Sequence, residues 1–259
     1  MNILEKIIIQ KREELVVRKM LVPLEEIMQS VQMKRKSISL AKSVTGRSTP
    51  FIIAEFKRKS PSKGFINQQA DVTKITPAYV EAGASALSIL TDRQFFGGST
   101  KDIFQARKNE IPILRKDFII DEYQVYASKV MGADIILLIA ACLTPKEVKD
   151  LASCAHLLGM EVLLEIHEES ELDYICSEID FAGINNRNLK TFETDIDNSI
   201  RLAEKLPREI IKISESGIDN TAVVKKLFAA GFQGFLIGEQ FMKQPDPGLA
   251  LKIFLEELN

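Results

Sequence analysis

Charged side chains interrupt apolar runs in this sequence where an isolated carboxylate or ammonium would be out of place. Glu55 and Lys57 close "IIAEFK", Lys116 follows "PILR", Glu165 stands in "LLEIH", and Glu215 with Ser216 ends "ISESG". Asn185 and Arg187 in "GINNR" add an amide and a guanidinium of the same kind. Burying such groups one at a time is costly unless each is paired or meets a ligand. Gathered around one cavity, two lysines and three carboxylates would split into acids and bases near neutral pH, the equipment for proton transfer on an anionic substrate. Taken singly, each has an ordinary explanation. A lysine at a strand end is commonly solvated, Glu165 can serve a structural bridge, His167 reads as a packed or surface imidazole, and Cys142 reads as core filler. Only convergence makes the set chemical, so the elements that carry it matter.

From residue 50 onward, β-branched runs recur, each followed by a polar turn and a stretch with helical spacing. They are "FIIAEF" (51–56), "ALSILTD" (86–92), "PILRKDF" (112–118), "ADIILLIA" (133–140), "EVLLEIH" (161–167), "FAGINNR" (181–187), "IIKISESG" (210–217) and "GFLIGEQF" (234–241). Several of the intervening stretches open on a Thr or Asp that suits an N-cap and close on a glycine that suits a left-handed C-cap, at Gly83, Gly132, Gly159 and Gly231. Continuously apolar strands joined by helical crossovers form a parallel sheet covered on both faces. Eight such units at this length predict an α/β fold, a (β/α)8 barrel of one domain over residues 1–259. Residues 1–48 fall outside the repeat and form an N-terminal helical extension: "ILEKIIIQKREELVVRKM" is amphipathic, "PLEEIMQSVQ" reads as a second short helix, and "KSVTGRSTP" as a polar linker. Periodicity leaves open whether these helices plug the bottom of the barrel, pack on its side or cover its mouth.

In such a barrel the strand C-termini form the functional face, and inward residues alternate along each strand. Glu55 and Lys57 share parity, so both project toward the mouth if Glu55 points inward. The last two strands end in Gly217 and Gly238, where backbone amides can approach a ligand. The second leads into "EQFMK", a short helical piece whose N-terminus favours an anion. A phosphate cradle is expected there, with Ser60 and Lys63 of the first loop closing on the same group. Lys57, Lys59 and Lys63 make the mouth locally positive.

Composition narrows the remainder. A net charge of −2 argues against nucleic acid as the main partner. Three widely spaced cysteines and two histidines leave no disulfide framework and no metal cluster, and indicate a reducing compartment. The apolar stretch at 135–145 is too short to span a bilayer, and the N-terminus lacks a secretory cleavage site, so a cytoplasmic protein with no membrane partner is expected. No glycine-rich nucleotide fingerprint appears, and no cofactor is expected.

The motifs "IIAEFKRKSPSKG", "FFGGS", "LRKDFIID", "LLEIH", "GINNRNLKTF", "SESGI" and "FLIGEQFM", in this order and spacing, closely resemble the indole-3-glycerol phosphate synthase family over the whole chain. The resemblance implies an enzyme of tryptophan biosynthesis; a monomer is expected, although no residue pattern fixes the oligomeric state. Such an enzyme closes 1-(2-carboxyphenylamino)-1-deoxyribulose 5-phosphate to indole-3-glycerol phosphate, with loss of carbon dioxide and water. It implies Lys116 as the acid that protonates the ketone oxygen, and Glu165 as the acid–base residue of dehydration. Lys57 matches the position that holds the substrate carboxylate and is an alternative acid. Glu55 would orient Lys57 and Lys116, with Arg187 as a counter-ion. Asn185 and Glu215 match positions that contact hydroxyl or amine groups. Ser60, Ser216, Gly217, Gly238 and Glu239 match phosphate contacts, although Glu239 can offer only its backbone N–H. Phe96, Phe118, Leu138 and Leu189 stand where an apolar slot for the aromatic ring is expected. The rival readings are another phosphate-binding barrel, such as a phosphoribosyl isomerase or a Schiff-base aldolase using Lys116, and a non-catalytic binding protein on the same fold.

Overall fold

The computed structural model describes residues 2–187 and 193–258. Eight parallel strands close on themselves: β1 (Phe51–Phe56), β2 (Ala86–Leu90), β3 (Ile113–Lys116), β4 (Ile135–Ile139), β5 (Glu161–Ile166), β6 (Phe181–Asn185), β7 (Ile211–Glu215) and β8 (Gly234–Ile237). Each pairs with its sequence neighbours, and β1 joins β8, so this is a TIM barrel. All eight apolar runs become strands. Helices follow them, several capped as their sequences predict: Asp71, Asp121 and Thr144 accept backbone N–H bonds at N-termini, while Gly83 and Gly132 turn the chain left-handed at C-termini.

Two-residue alternation sorts each strand between two cores. Ile52, Ala54, Ile136, Leu138, Val162, Leu164, Ala182 and Phe235 face the helices. Phe51, Ile53, Ala86, Leu114, Ile135, Leu137, Leu163, Phe181 and Ile213 fill the barrel itself. Continuing the inward parity toward the C-termini reaches Glu55, Ser88, Lys116, Ile139, Glu165, Asn185 and Glu215. The charged layer is therefore the top layer of the barrel interior, directly above its apolar filling. Glycine makes the room: a Cβ on Gly183 would stand 2.3 Å from a Glu215 carboxylate oxygen.

The extension does two jobs at opposite ends. Helix α1 (Ile3–Leu21) starts from a reciprocal Asn2–Glu5 capping box and brings Ile3, Leu4 and Ile7 to the mouth. Its far half packs Leu15 against Ile27 and Tyr123, whose hydroxyl donates to the carbonyls of Arg18 and Val22. The stretch read as linker in fact begins inside a helix, α2 (Leu40–Val44). Its Leu40 and Val44 are apolar four residues apart and plug the bottom of the barrel. Glu161 at the start of β5 accepts from the Ser39 hydroxyl and from the Leu40 N–H at 2.9 Å, fixing the plug.

Two further departures are local. "EESELDYICSEID" forms only a 3-10 turn, Glu169–Tyr174, with Glu168 and Glu171 capping its start and Leu172, Tyr174, Ile175 and Cys176 packed on the core. In the first loop, Lys59–Ser60 and Gly64–Phe65 pair as a small hairpin, too short to leave an alternation signal, with Gly64 at φ 68°.

Candidate active site

At the mouth, Lys116 bridges two carboxylates: its Nζ lies 2.8 Å from Glu165 Oε2 and 3.1 Å from Glu215 Oε2. Lys57 pairs with Glu55 at 2.6 Å, and Ser88 stands 3.5 Å from the other Glu55 oxygen. Asn185 donates to Glu165 Oε1 at 3.2 Å. The residues named from strand ends thus converge around one cavity, as their parity requires.

The electrostatics separate the roles. Burial draws the Lys116 ammonium down, but Glu165, Glu215 and Glu55 outweigh it and hold it well above the usual lysine range. Burial pushes Glu165 up, and Lys116 with His167 reverses this, holding it well below the usual carboxylate range. For Glu215, burial and repulsion from Glu165 and Glu55 prevail over Lys116 and raise it to about 7. Two carboxylates beside one ammonium therefore differ in their resting protonation, Glu165 ionised and so able to accept a proton, Glu215 near the point of half-ionisation at neutral pH. Glu215 lines the cavity, and its Oε1 is buried beside Gly183 with no hydrogen-bond partner among the described residues.

The opposite rim is made by Ser60, Ser216, Gly217, Gly238 and Glu239, which line the same cavity. Ser216 and Gly217 are both left-handed, at φ 65° and 66°, and Ser216 is the one non-glycine residue with positive φ among those described. Strain of this kind costs about 1–3 kcal/mol and needs support. Asn186 supplies it, donating to Ser216 O at 2.7 Å and Ser214 Oγ at 3.0 Å. At Gly238 a Cβ would lie 2.6 Å from Glu55 Oε1 and 2.9 Å from its Cβ. Gly238→Ala is expected to displace Glu55 and with it Lys57, lowering kcat/KM by roughly tenfold while the unfolding temperature changes little; steady-state kinetics beside a thermal melt checks it.

Several sequence expectations need correction. Arg187 does not touch Glu55; its Nη1 donates to Ser62 Oγ at 3.1 Å and its Nη2 lies 3.8 Å from Glu239, so Lys57 is the counter-ion of Glu55. Lys59 turns away from the mouth to the carbonyl of Gln94, and Lys63 pairs with Glu239. The Glu239 side chain thereby ties the first loop to the last. Leu138 has the outward parity and packs beneath the helices; Leu137 and Ile139 line the cavity in its place. Phe96 and Phe118 both line the cavity and pack against each other, with ring centroids 6.0 Å apart. Leu189 lies outside the described residues.

Other residues of the site left weaker traces in the sequence. Lys11, 4% exposed, reaches from α1 to Asp92 at 3.1 Å and Asp117 at 3.0 Å. Asp92 in turn accepts from the Phe95 and Phe96 N–H groups, and Asp117 from the Phe118 N–H, so one ammonium anchors the helix and both rings of the slot. The signal was a lysine on the stripe Leu4, Ile7, Lys11, Leu15. Lys11→Met leaves two buried carboxylates short of a cation and is expected to destabilise the docked helix by about 3 kcal/mol, read as a lowered unfolding temperature and faster amide exchange over residues 3–21.

Comparison with known proteins agrees with this geometry. The family described as indole-3-glycerol phosphate synthase matches residues 4–254. A protein of that name from Bacteroides thetaiotaomicron is 54% identical over 258 residues, covering 99% of both chains. One from Polaromonas sp. is 45% identical over 255 residues, covering 96% of this chain and 97% of the other. Among solved structures, tryptophan synthase subunit alpha from Legionella pneumophila superposes with a TM-score of 0.61 at 13% identity, covering 85% of this chain and 95% of that one. The 3-hexulose-6-phosphate synthase of Salmonella typhimurium gives 0.63 at 12% identity, covering 81% and 100%. These two likenesses show the barrel alone. No helix among the described residues is long and apolar enough to cross a membrane.

Proposed function

Proceeding from the fact that the chain belongs to the indole-3-glycerol phosphate synthase family, we propose how its own residues divide the reaction. The enzyme is a carboxy-lyase of tryptophan biosynthesis acting on a phosphorylated small molecule: it closes 1-(2-carboxyphenylamino)-1-deoxyribulose 5-phosphate to indole-3-glycerol phosphate. The observation that carries the division of roles is the Lys116 ammonium held between Glu165 and Glu215 at the cavity.

The substrate phosphate sits against Ser60, Ser216, Gly217, Gly238 and the Glu239 N–H. Its aromatic ring enters the slot of Phe96 and Phe118, and its carboxylate meets Lys57. As the ring carbon attacks the ketone, Lys116 passes a proton to the oxygen, which becomes a hydroxyl. Loss of carbon dioxide returns the electron pair to the ring and restores aromaticity. The hydroxyl then takes a second proton, from Lys116 or Lys57, and leaves as water while Glu165 removes a proton from the carbon skeleton. Two protons enter and one departs, so each turnover consumes one proton, matching the charge lost with the carboxylate. Asn185 and Glu215 orient the ribulose hydroxyls and the amine.

An ammonium held this firmly in its charged form suits an acid better than a Schiff-base nucleophile, which needs a lowered pKa. The domain reading follows the same geometry: α1 lines the mouth and α2 plugs the base, so the extension and the barrel are read as one unit. Incubating the protein with the carboxyphenylamino ribulose phosphate in chelator-treated buffer is expected to yield indole fluorescence without added cofactor. Absence of product from a folded sample, or trapping of a substrate adduct on Lys116 by borohydride, would overturn the division of roles.

A further inference from the structure

His167 lies two residues beyond Glu165, on the same parity at the end of β5, and its imidazole stands against the oxygen of Glu165 that faces away from Lys116. We propose that His167 is a positioning residue for Glu165, an imidazolium that holds Oε1 so that Oε2 stays turned toward Lys116. The inference rests on the acid–base role given to Glu165 above.

The contacts form a chain. Nε2 of His167 lies 3.3 Å from Glu165 Oε1, the oxygen that also accepts from Asn185, while Oε2 faces Lys116 at 2.8 Å. On the far side of the ring, Nδ1 lies 3.8 Å from Glu171 Oε2. Glu171 is itself tied to the backbone, accepting from the N–H of His167 at 2.5 Å and of Glu168 at 3.2 Å as it caps the 3-10 turn after β5. The ring thus lies between one carboxylate fixed by the backbone and one that faces the cavity, within ion-pair distance of both although neither nitrogen meets hydrogen-bond geometry. The side chains of His167, Glu165 and Glu171 are only 10%, 3% and 13% exposed, so water competes weakly for these contacts.

The charged and titratable groups around the ring come from each element packed there. They are Glu165 on β5 and Glu171 on the turn, with Lys116 of β3 and Glu215 of β7 beyond Glu165. The Cys142 thiol after β4 is kept neutral, pushed up to about 12 by burial and then by Glu165 and Glu171. Burial draws the imidazole down, but its contacts with Glu165 and Glu171 prevail and raise it to about 9, so the ring is cationic through the neutral range. A neutral side chain of similar size at this position would leave Oε1 to Asn185 alone, freeing the carboxylate to rotate away from Lys116 and making it a weaker acid–base partner.

Only two histidines occur in the chain, so His156→Gln, remote on the surface, leaves a single imidazole to follow by NMR. In that background His167 is expected to titrate above the ordinary histidine value, and Glu165→Gln or Glu171→Gln should each lower its midpoint by about one pH unit. His167→Asn keeps a polar group without the charge. It is expected to lower kcat about tenfold, to leave KM within about twofold, and to move the acid limb of the kcat profile up by about one pH unit, because Glu165 loses a neighbouring cation. His167→Gln serves if the asparagine variant folds poorly. A His167 midpoint indifferent to Glu165→Gln, or a His167→Asn profile superimposable on that of the wild type with Glu165→Gln inactive, defeats the inference alone. Glu165→Gln turning over near the wild-type rate defeats the role of Glu165, whatever His167 does.

Discussion

Lys116→Ala is expected to lower kcat by roughly a thousandfold, the scale of a lost general acid, while inorganic phosphate still binds within about twofold of its wild-type affinity. The two effects should separate because Lys116, on β3, and the proposed phosphate contacts Ser216, Gly217 and Gly238, after β7 and β8, come from different sides of one cavity. Removing the ammonium also leaves Glu165 and Glu215 without the cation that both face, and breaking a buried pair costs about 3–5 kcal/mol. A loss of rate in that variant alone would therefore mix chemistry with stability. Lys116→Arg resolves them. The guanidinium still partners both carboxylates but does not release its proton at any working pH, so the variant is expected to fold well and to remain as inactive as Lys116→Ala. Turnover by Lys116→Arg above about one tenth of the wild-type rate would remove Lys116 as the principal acid.

Glu165→Gln is the second large effect, expected to cost 10²- to 10⁴-fold, roughly, in indole formation. Its signature should differ from that of Lys116→Ala, because the role proposed for Glu165 falls after carbon dioxide has left. Under single-turnover conditions Glu165→Gln should release carbon dioxide well ahead of indole fluorescence, whereas Lys116→Ala should produce neither. Equal pacing of the two products at the wild-type rate would reassign the dehydration step. Stability carries an independent check. The folded-state pKa of Glu165 is held below its unfolded value, so its ionisation stabilises the fold above the unfolded carboxylate range and ceases to do so as the pH falls through the folded value. The stability gap between wild type and Glu165→Gln should thus be widest near neutral pH and close on acidification.

What could be read from residue order alone follows from the range of the forces that wrote it. Strand and helix are recorded in local periodicity, and all eight strand runs were legible because each is apolar, short and bounded by turn residues. Charges at strand ends were legible for the same reason, as each contradicts its own run. The Leu189 assignment stays with the family resemblance. Leu138 shows the limit of position without parity. It stands beside the slot in sequence, yet the pleat turns it to the helices and presents Leu137 and Ile139 instead. His167 shows the limit of residue type, since an imidazole acquires a role only from its neighbours.

By itself, the sequence determined which chemical groups stand at the C-terminal ends of the strands, and that those strands form a covered parallel sheet, because an alternation of strand and helix is a local pattern that only a few layer architectures satisfy. Tertiary structure decided which cation meets which anion: Lys57 rather than Arg187 on Glu55, Lys116 between Glu165 and Glu215, and Lys11 across to Asp92 and Asp117. It also decided that the extension would close both ends of the barrel. Partner choice between residues tens of positions apart depends on how the closed ring sets strand against strand and on where glycines leave room, and neither quantity is inscribed in any one stretch of chain.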